Sequence, residues 1–214
     1  MAINRPGQPG DLPSPRVLWA RWALIGVLEA TTAGERKGRH RTGTWVDGEG
    51  LRLDDSGCTW WGFEQRGEGR YVLYGEDESS GVKWHRPPVD MLAGAPDWLP
   101  HERLRDLLNG WELGCVYWFE NGAWARAPYP ETLGDDGLDC GVGRFVDRKE
   151  VLMTIADEDH GGMSAVDAET LLDHAEGYRL TPDLLMSLVT VPEWREPERP
   201  AMARALERAG LNRA

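Results

Sequence analysis

Asn121-Gly122 lies between two short runs of aromatic and apolar residues, and it constrains the fold more than any other dipeptide of the chain. An Asn-Gly pair favours a two-residue type I′ turn, which joins antiparallel strands and fixes their register. The sequence therefore predicts a hairpin of strands 115–120 and 123–128. Neither face of this hairpin is polar, so we expect it to lie centrally in a sheet, covered on both sides. Counting back from the turn predicts the cross-strand pairs Glu120–Ala123, Phe119–Trp124 and Tyr117–Arg126.

Short runs of β-branched and aromatic residues also fill the region from residue 43 to residue 85, separated by glycine and acidic turns. This pattern is typical of consecutive antiparallel strands joined by hairpins. Phe145 and Val146 indicate one more strand, after an acidic, glycine-rich loop at 134–143. The predicted strands in addition to the hairpin are 44–47, 51–54, 59–64, 71–74, 82–85 and 145–146.

Helix signals flank the strand region on both sides. Ser14-Pro15 is typical of a helix start, because serine caps free backbone amides and proline fits the first helical turn. The region after Gly161 has helical periodicity throughout. The predicted helices are 15–32, 100–109, 149–157, 165–176, 182–190 and 197–209.

These patterns together predict an α+β fold: a twisted antiparallel sheet packed by helices, with a helical C-terminal extension. Residues 1–13 are rich in proline and glycine and are predicted to be a flexible leader. We assign residues 14–160 to the α+β domain and residues 161–214 to the helical extension.

The chain is strongly acidic, with a formal net charge of −12. Residues 101–160 carry 13 acidic and 6 basic residues. Such a surface disfavours nucleic acid and favours a basic protein as partner. No apolar run reaches the roughly 18 residues of a membrane span, and three cysteines without C-x-x-C spacing favour neither disulfides nor a zinc site. We therefore expect a cytoplasmic protein that binds no metal, cofactor or membrane.

Eleven tryptophans are present, and tryptophan serves both protein cores and binding surfaces. Two acidic loops follow or precede runs that contain these aromatic residues. An acidic loop is commonly a solvated turn, but beside exposed aromatic side chains it can bind a basic partner. The partner-binding candidates are Glu76, Asp77, Glu78, Trp84, Asp135, Asp136 and Asp139.

One face of the predicted hairpin offers a second kind of site. Aromatic side chains beside an arginine can hold a planar or anionic ligand by stacking and charge. The alternative is a core in which the arginine reaches an acidic edge. A histidine at a strand end can serve as a general base where a carboxylate orients it. The ligand-pocket candidates are His85, Tyr117, Trp124 and Arg126.

The run from Trp60-Trp61 to Tyr74-Gly-Glu-Asp-Glu-Ser-Ser-Gly-Val-Lys-Trp84, continued at 95–100 and 114–118, resembles a family of actinobacterial proteins labelled "proteasome protein". The resemblance covers residues 15–155 and excludes the helical tail. It implies no catalytic or binding residue, because none is assigned in that family. At the level of fold class, the chain is also similar to small acidic immunity and antitoxin proteins.

The sequence contains no nucleophile elbow, phosphate loop or H-E-x-x-H motif, which favours a non-enzymatic protein. The first hypothesis is a protein-binding module, of the immunity or antitoxin kind, that uses an acidic surface with exposed aromatic residues. The alternative is a small-molecule-binding protein or hydrolase whose pocket lies on the face of Tyr117, Trp124 and Arg126.

Overall fold

The structure, a computed structural model, describes residues 3–37, 40–158, 163–189 and 193–213. Its central element is a six-stranded antiparallel sheet whose strands follow one another in sequence order, from β1 at one edge to β6 at the other. This meander with its flanking helices confirms the predicted α+β class. The strands are β1 (Gly43–Val46), β2 (Leu51–Asp54), β3 (Thr59–Gln65), β4 (Tyr71–Asp77), β5 (Cys115–Glu120) and β6 (Ala123–Arg126).

The helices lie before, between and after the strands. The first predicted helix is too long, because the Thr31 hydroxyl accepts the Gly34 amide at 2.9 Å and starts a second helix. None of the described helices is long and apolar enough to cross a membrane. The helices of the described residues are α1 (Pro15–Leu28), α2 (Thr32–Lys37), α3 (His101–Asn109), α4 (Leu138–Val146), α5 (Arg148–Glu158), α6 (Ala165–Glu176), α7 (Pro182–Leu188) and α8 (Arg199–Ala209).

The Asn-Gly hairpin has the predicted turn and register. Asn121 and Gly122 have φ values of +55° and +82°, as a type I′ turn requires, and all three predicted cross-strand pairs are present. Its predicted central position is wrong, since β6 is an edge strand. Pro128 and Pro130 follow β6 and lack the N–H groups that would extend the ladder.

The strand predicted at 82–85 is a 3-10 helix, Val82–Trp84. The Ser80 hydroxyl accepts the Val82 amide at 3.3 Å, which favours a turn at this point. Pro87-Pro88 then leaves too little chain for a ladder.

The strand predicted at 145–146 is the end of α4. Leu138, Val142 and Phe145 recur at helical spacing, and all three are buried. The second half of the predicted acidic loop is therefore helical, despite its glycines. Gly141 is needed there, because a Cβ would lie 1.9 Å from Nε1 of Trp61.

One face of the sheet packs against α1 and α4, and we call it the covered face. Trp22 of α1 is completely buried and stacks on Phe145 with ring centroids 4.6 Å apart. Helices α5, α6 and α8 pack on α1, so one apolar core joins the sheet to the C-terminal extension. The domain boundary predicted at 160/161 lies outside the described residues.

The opposite face, which we call the open face, has an apolar cover over only part of its width. Leu104 of α3 packs over β4 and β5, where Val72, Tyr74 and Trp118 are buried. Over β1, β2 and β3, this face borders a cleft.

Both edges of the sheet carry protecting contacts. At the β1 edge, a carboxylate oxygen of Glu29 accepts the Thr44 amide at 2.6 Å. At the β6 edge, Trp124 donates to the Pro13 carbonyl at 2.7 Å and Arg126 donates to the Gly7 carbonyl at 2.9 Å. Such contacts guard a sheet against edge-to-edge pairing. The flexibility of the leader stays a prediction, but residues 7–13 lie in contact with β6.

Candidate functional site

A broad cleft lies on the open face over β1, β2 and β3. This sheet cleft has a volume of about 690 Å³, within the range of small-molecule sites. Helices α2, α3 and α8 each contribute residues to its walls. The side chains that matter most for its chemistry are Arg41, Trp45, Arg52, Asp54, Trp60 and Arg103.

Strand alternation places these side chains in the cleft. In β2, Leu51 and Leu53 are buried against the covered face, so Arg52 and Asp54 point to the open face. Cross-strand pairing then aligns Trp45 of β1 with Arg52. A single register thus brings aromatic and charged residues together on one surface.

A buried carboxylate organises the floor of the cleft. The Glu64 side chain has no exposed surface, and its Oε1 accepts hydrogen bonds from three groups. Arg52 Nη2 lies 2.9 Å away, Arg103 Nη1 lies 3.2 Å away and the Tyr74 hydroxyl lies 2.5 Å away. Charge-assisted hydrogen bonds of this kind fix side-chain positions.

The arginines of this network are strongly held as cations. Burial lowers the pKa of Arg52, but Tyr74, Asp47 and Glu64 together raise it by more. The pKa of Arg52 therefore lies above its ordinary value. The pKa of Arg103 is raised in the same way, against burial, by Tyr74 and by the Glu64 and Glu49 carboxylates. Both guanidiniums are therefore committed to ion pairs in the floor.

Gly62 makes this floor possible. It lies opposite Arg52 in the β2–β3 ladder and opposite Tyr74 in the β3–β4 ladder. A Cβ at this position would lie 2.9 Å from both Arg52 Nη1 and Tyr74 Cζ. The missing side chain lets the arginine and the tyrosine reach Glu64 across the strand.

Arg41 differs from the arginines of the floor. Only 8% of its surface is exposed, and it forms no ion pair or hydrogen bond with any residue in the described part of the chain. Burial lowers its pKa, and Glu29 and Glu35 offset this only in part. Its guanidinium carbon lies 5.7 Å from the ring centroid of Trp45.

A smaller cleft of about 320 Å³ adjoins the sheet cleft and shares Arg41, Asp54 and Trp60 with it. Ser56 and Gly57 of the β2–β3 turn form its far side. Arg41 therefore lies where two concavities meet.

The first acidic loop is largely engaged within the protein. Glu76 pairs with Lys83, whose ammonium also donates to the Trp111 carbonyl at 2.7 Å. Asp77 is buried and accepts hydrogen bonds from Thr59 and from the Ser79 amide. Burial raises the pKa of Asp77, but these hydrogen bonds lower it more, and the balance lies below the ordinary value.

Among the partner-binding candidates, Glu78 and Trp84 are exposed. Trp84 is 66% exposed and meets Trp111, which is 49% exposed, edge to face at 5.2 Å between ring centroids. Trp111 has a φ of +62°, a strained conformation for a bulky residue. Trp111 was not among the sequence-predicted candidates, because its place beside Trp84 depends on the packing of α3.

The second acidic loop is joined to the N-terminal segment. Arg5 pairs with Asp139 at 2.5 Å and lies 3.7 Å from Asp135. Asp136 is buried and accepts the Gly7 amide at 2.9 Å. These three candidates are thus internal contacts of the folded chain.

The ligand-pocket candidates are spread over two places. Tyr117 is buried and donates to Asp136 at 2.8 Å. Residues 7–13 contact Trp124 and Arg126, and the Arg126 guanidinium lies 3.8 Å above the Tyr129 ring. His85 lies apart, with Nδ1 2.7 Å from the Pro87 carbonyl and Nε2 2.8 Å from the Thr132 hydroxyl.

No family model, curated protein or solved structure matches this chain. The resemblance to the actinobacterial family therefore stays a prediction.

The thiols of the chain are poorly suited to nucleophilic chemistry. The Glu78 carboxylate raises the pKa of Cys58, and burial raises those of Cys115 and Cys140. Reactive cysteines need the opposite shift. Among the described residues, no group of three or more histidine, cysteine or carboxylate side chains could hold a metal ion.

Sequence reasoning missed the sheet cleft, although a local signal was present. Glu64 and Arg52 are charged residues next to apolar strand positions, and a buried charge usually has a paired partner. Pairing β2 with β3 would have brought the two together. Arg41 gave no such signal, since it ends the basic segment 35–41, which is typical of a solvated loop.

Proposed function

We propose that the protein is a binding protein that holds a small molecule with a flat ring in the sheet cleft. The observation that carries this proposal is a cleft of about 690 Å³ that is lined by the indole rings of tryptophans and by arginines. Trp45 and Trp60 are partly exposed there, and aromatic surfaces of this kind stack on planar ligands.

The rigid floor of the cleft favours ligand binding. Glu64, Arg52 and Arg103 hold one another, and Trp60 packs against Tyr74 at 5.9 Å between ring centroids. A site preformed in this way loses little conformational entropy when a ligand enters. The acidic groups Asp47, Glu49 and Asp54 at the cleft disfavour highly charged anions such as nucleic acid.

The test is an NMR titration of the eleven indole N–H signals with indole-3-acetate. We expect the signals of Trp45 and Trp60 to shift, with those of the buried Trp22 unchanged. A Trp60→Ala variant should bind at least about tenfold more weakly. Shifts confined to Trp84 and Trp111, or no shifts at all, would reject the cleft as the binding site.

A second function, protein docking, is favoured by the exposed Trp84–Trp111 pair. Exposed tryptophans commonly act as anchors in protein interfaces, and Glu78 and Glu112 are exposed near them in sequence. The proposed surface is acidic and aromatic, as the first hypothesis expects, but it is limited to the region around Trp84 and Trp111. A partner that binds the wild type at low salt should be lost in Trp84→Ala and retained in Trp98→Phe. Equal recovery by both variants would reject this surface.

A further inference from the structure

The four arginines that line the sheet cleft are Arg41, Arg52, Arg103 and Arg208. Arg52 and Arg103 pair with Glu64, and Arg208 pairs with Glu35 at 3.2 Å. Arg41 is the exception, because it pairs with no residue in the described ranges. It is also far less exposed than Arg103 and Arg208, whose side chains are 44% and 46% exposed.

A buried cation without a counter-charge is unfavourable, and proteins seldom keep one without a use. The nearby carboxylates Glu29 and Glu35 offset this cost only in part. Glu29 accepts the Thr44 amide at 2.6 Å, and Glu35 is bound by Arg204 at 2.6 Å and by Arg208. The guanidinium thus faces the cleft with donors that no group in the described ranges satisfies.

The surroundings of Arg41 fix its orientation. Trp45 lies to one side, at 5.7 Å between the guanidinium carbon and the ring centroid. Gly34 of α2 lies close by, where a Cβ would be 3.2 Å from Nε. Packing beside a ring and a backbone segment restricts the guanidinium, and its planar fork of donors suits an oxyanion with two oxygens.

We propose that Arg41 binds an oxyanion of the ligand, a carboxylate or a phosphate, while Trp45 and Trp60 hold the ring that carries it. This inference rests on the proposed function and names the class of ligand. The ion pair supplies the partner that Arg41 lacks among the described residues. The net charge of −12 and the acidic groups at the cleft limit the ligand to one anionic group.

The test uses three probes measured by calorimetry: indole-3-acetate, its neutral analogue indole-3-acetamide, and phenyl phosphate. The wild type should bind one of the two anions at least about tenfold more tightly than the amide, as expected for a desolvated charge-assisted pair. The anion that binds more tightly identifies carboxylate or phosphate as the native group.

The decisive variant is Arg41→Met, with Arg105→Met as the control on the exposed side of α3. Arg41→Met should lose the preference for the anion and keep the affinity for the amide, whereas Arg105→Met should keep both. Because Arg41 has no partner in the described ranges, its variant is expected to fold, and its indole NMR spectrum verifies this.

The outcomes separate the two proposals. Equal binding of anions and amide by the wild type overturns the role of Arg41 and leaves the proposed function intact. An anion preference that survives in Arg41→Met does the same. Failure of all three probes to bind overturns the proposed function, and this inference with it.

Discussion

The two faces of the sheet are built from the same strands but differ in how much of each the helices bury. On the covered face, Trp61, Phe63 and Leu53 are buried under α1 and α4, and the core continues into the C-terminal helices. On the open face, α3 covers β4 and β5, and the remaining strands line a cleft. Strand alternation therefore decides which residues are core, and the extent of the helical cover decides which are available for binding.

The polar residues follow the same division. The covered face tolerates Asp77 because local hydrogen bonds satisfy it. The open face holds Glu64 among arginines and tyrosine. Arg41 at the cleft is a buried cation without a partner in the described ranges, which is why we place function there.

The largest effect should come from removing an anchor of the covered face. Trp22→Ala deletes a completely buried ring that stacks on Phe145, and it should lower the free energy of unfolding by about 4 kcal/mol. Trp60→Ala, on the open face, should lower it by about 1–2 kcal/mol, because the ring is only half buried. Urea denaturation measures both. Equal losses would mean that the faces do not differ as described.

The next effect concerns the floor of the cleft. Glu64→Ala leaves Arg52 and Arg103 without their shared carboxylate and should cost about 3 kcal/mol of stability. Glu49→Ala is the matched control, since Glu49 pairs with the same two arginines but its side chain is 62% exposed. Its loss should change stability by less than about 1 kcal/mol. A larger loss of stability in Glu49→Ala than in Glu64→Ala would mean that the exposed Glu49, and not the buried Glu64, holds the two arginines.

A smaller effect is expected from adding a methyl group to the same floor. Gly62→Ala puts a Cβ within 2.9 Å of Arg52 and Tyr74, and it should lower the stability by about 2 kcal/mol through overpacking. The control is Gly10→Ala, because nothing lies within 4 Å of a Cβ at that position. Gly67 is unsuitable as a control, because its φ of +120° would strain an alanine. Unchanged stability in Gly62→Ala would contradict the close approach of the floor side chains.

The smallest effect is a dependence on pH at the covered face. The pKa of Asp77 is lowered on folding, so its contribution is complete above its unfolded value of about 3.9 and is lost as the pH falls through the folded pKa. Asp77→Asn should therefore flatten the loss of stability below about pH 4. Asp90→Asn, an exposed site, should leave that slope as it is. Identical slopes in Asp77→Asn and the wild type would contradict the lowered pKa.

The strand alternation and the Asn-Gly turn were enough to predict most of the sheet. Turn chemistry is local, so Asn121-Gly122 fixed the register of β5 and β6 without any tertiary information. The predicted position of the hairpin in the sheet was wrong, because that position depends on whether a later segment pairs with β6. The helix over Phe145 was missed because its glycines concealed a periodic buried stripe.

The candidate site was much less accessible to sequence reasoning. Acidic loops look solvated in a sequence, but Arg5 and the Gly7 amide reach Asp139 and Asp136 across more than 120 residues. Such pairs depend on how the N-terminal segment docks, which no local pattern encodes. The cleft likewise depends on how α2, α3 and α8 pack beside the sheet, since each contributes residues to its walls.

We propose, above all, that the uncovered part of the open face binds an anionic, flat ligand through Arg41. A crystal structure of the protein with indole-3-acetate tests it most directly. We predict density for the ring beside Trp45 and Trp60, with the carboxylate oxygens within hydrogen-bonding distance of the Arg41 guanidinium. A carboxylate that points into solvent, or a ligand bound only at Trp84 and Trp111, would contradict the account.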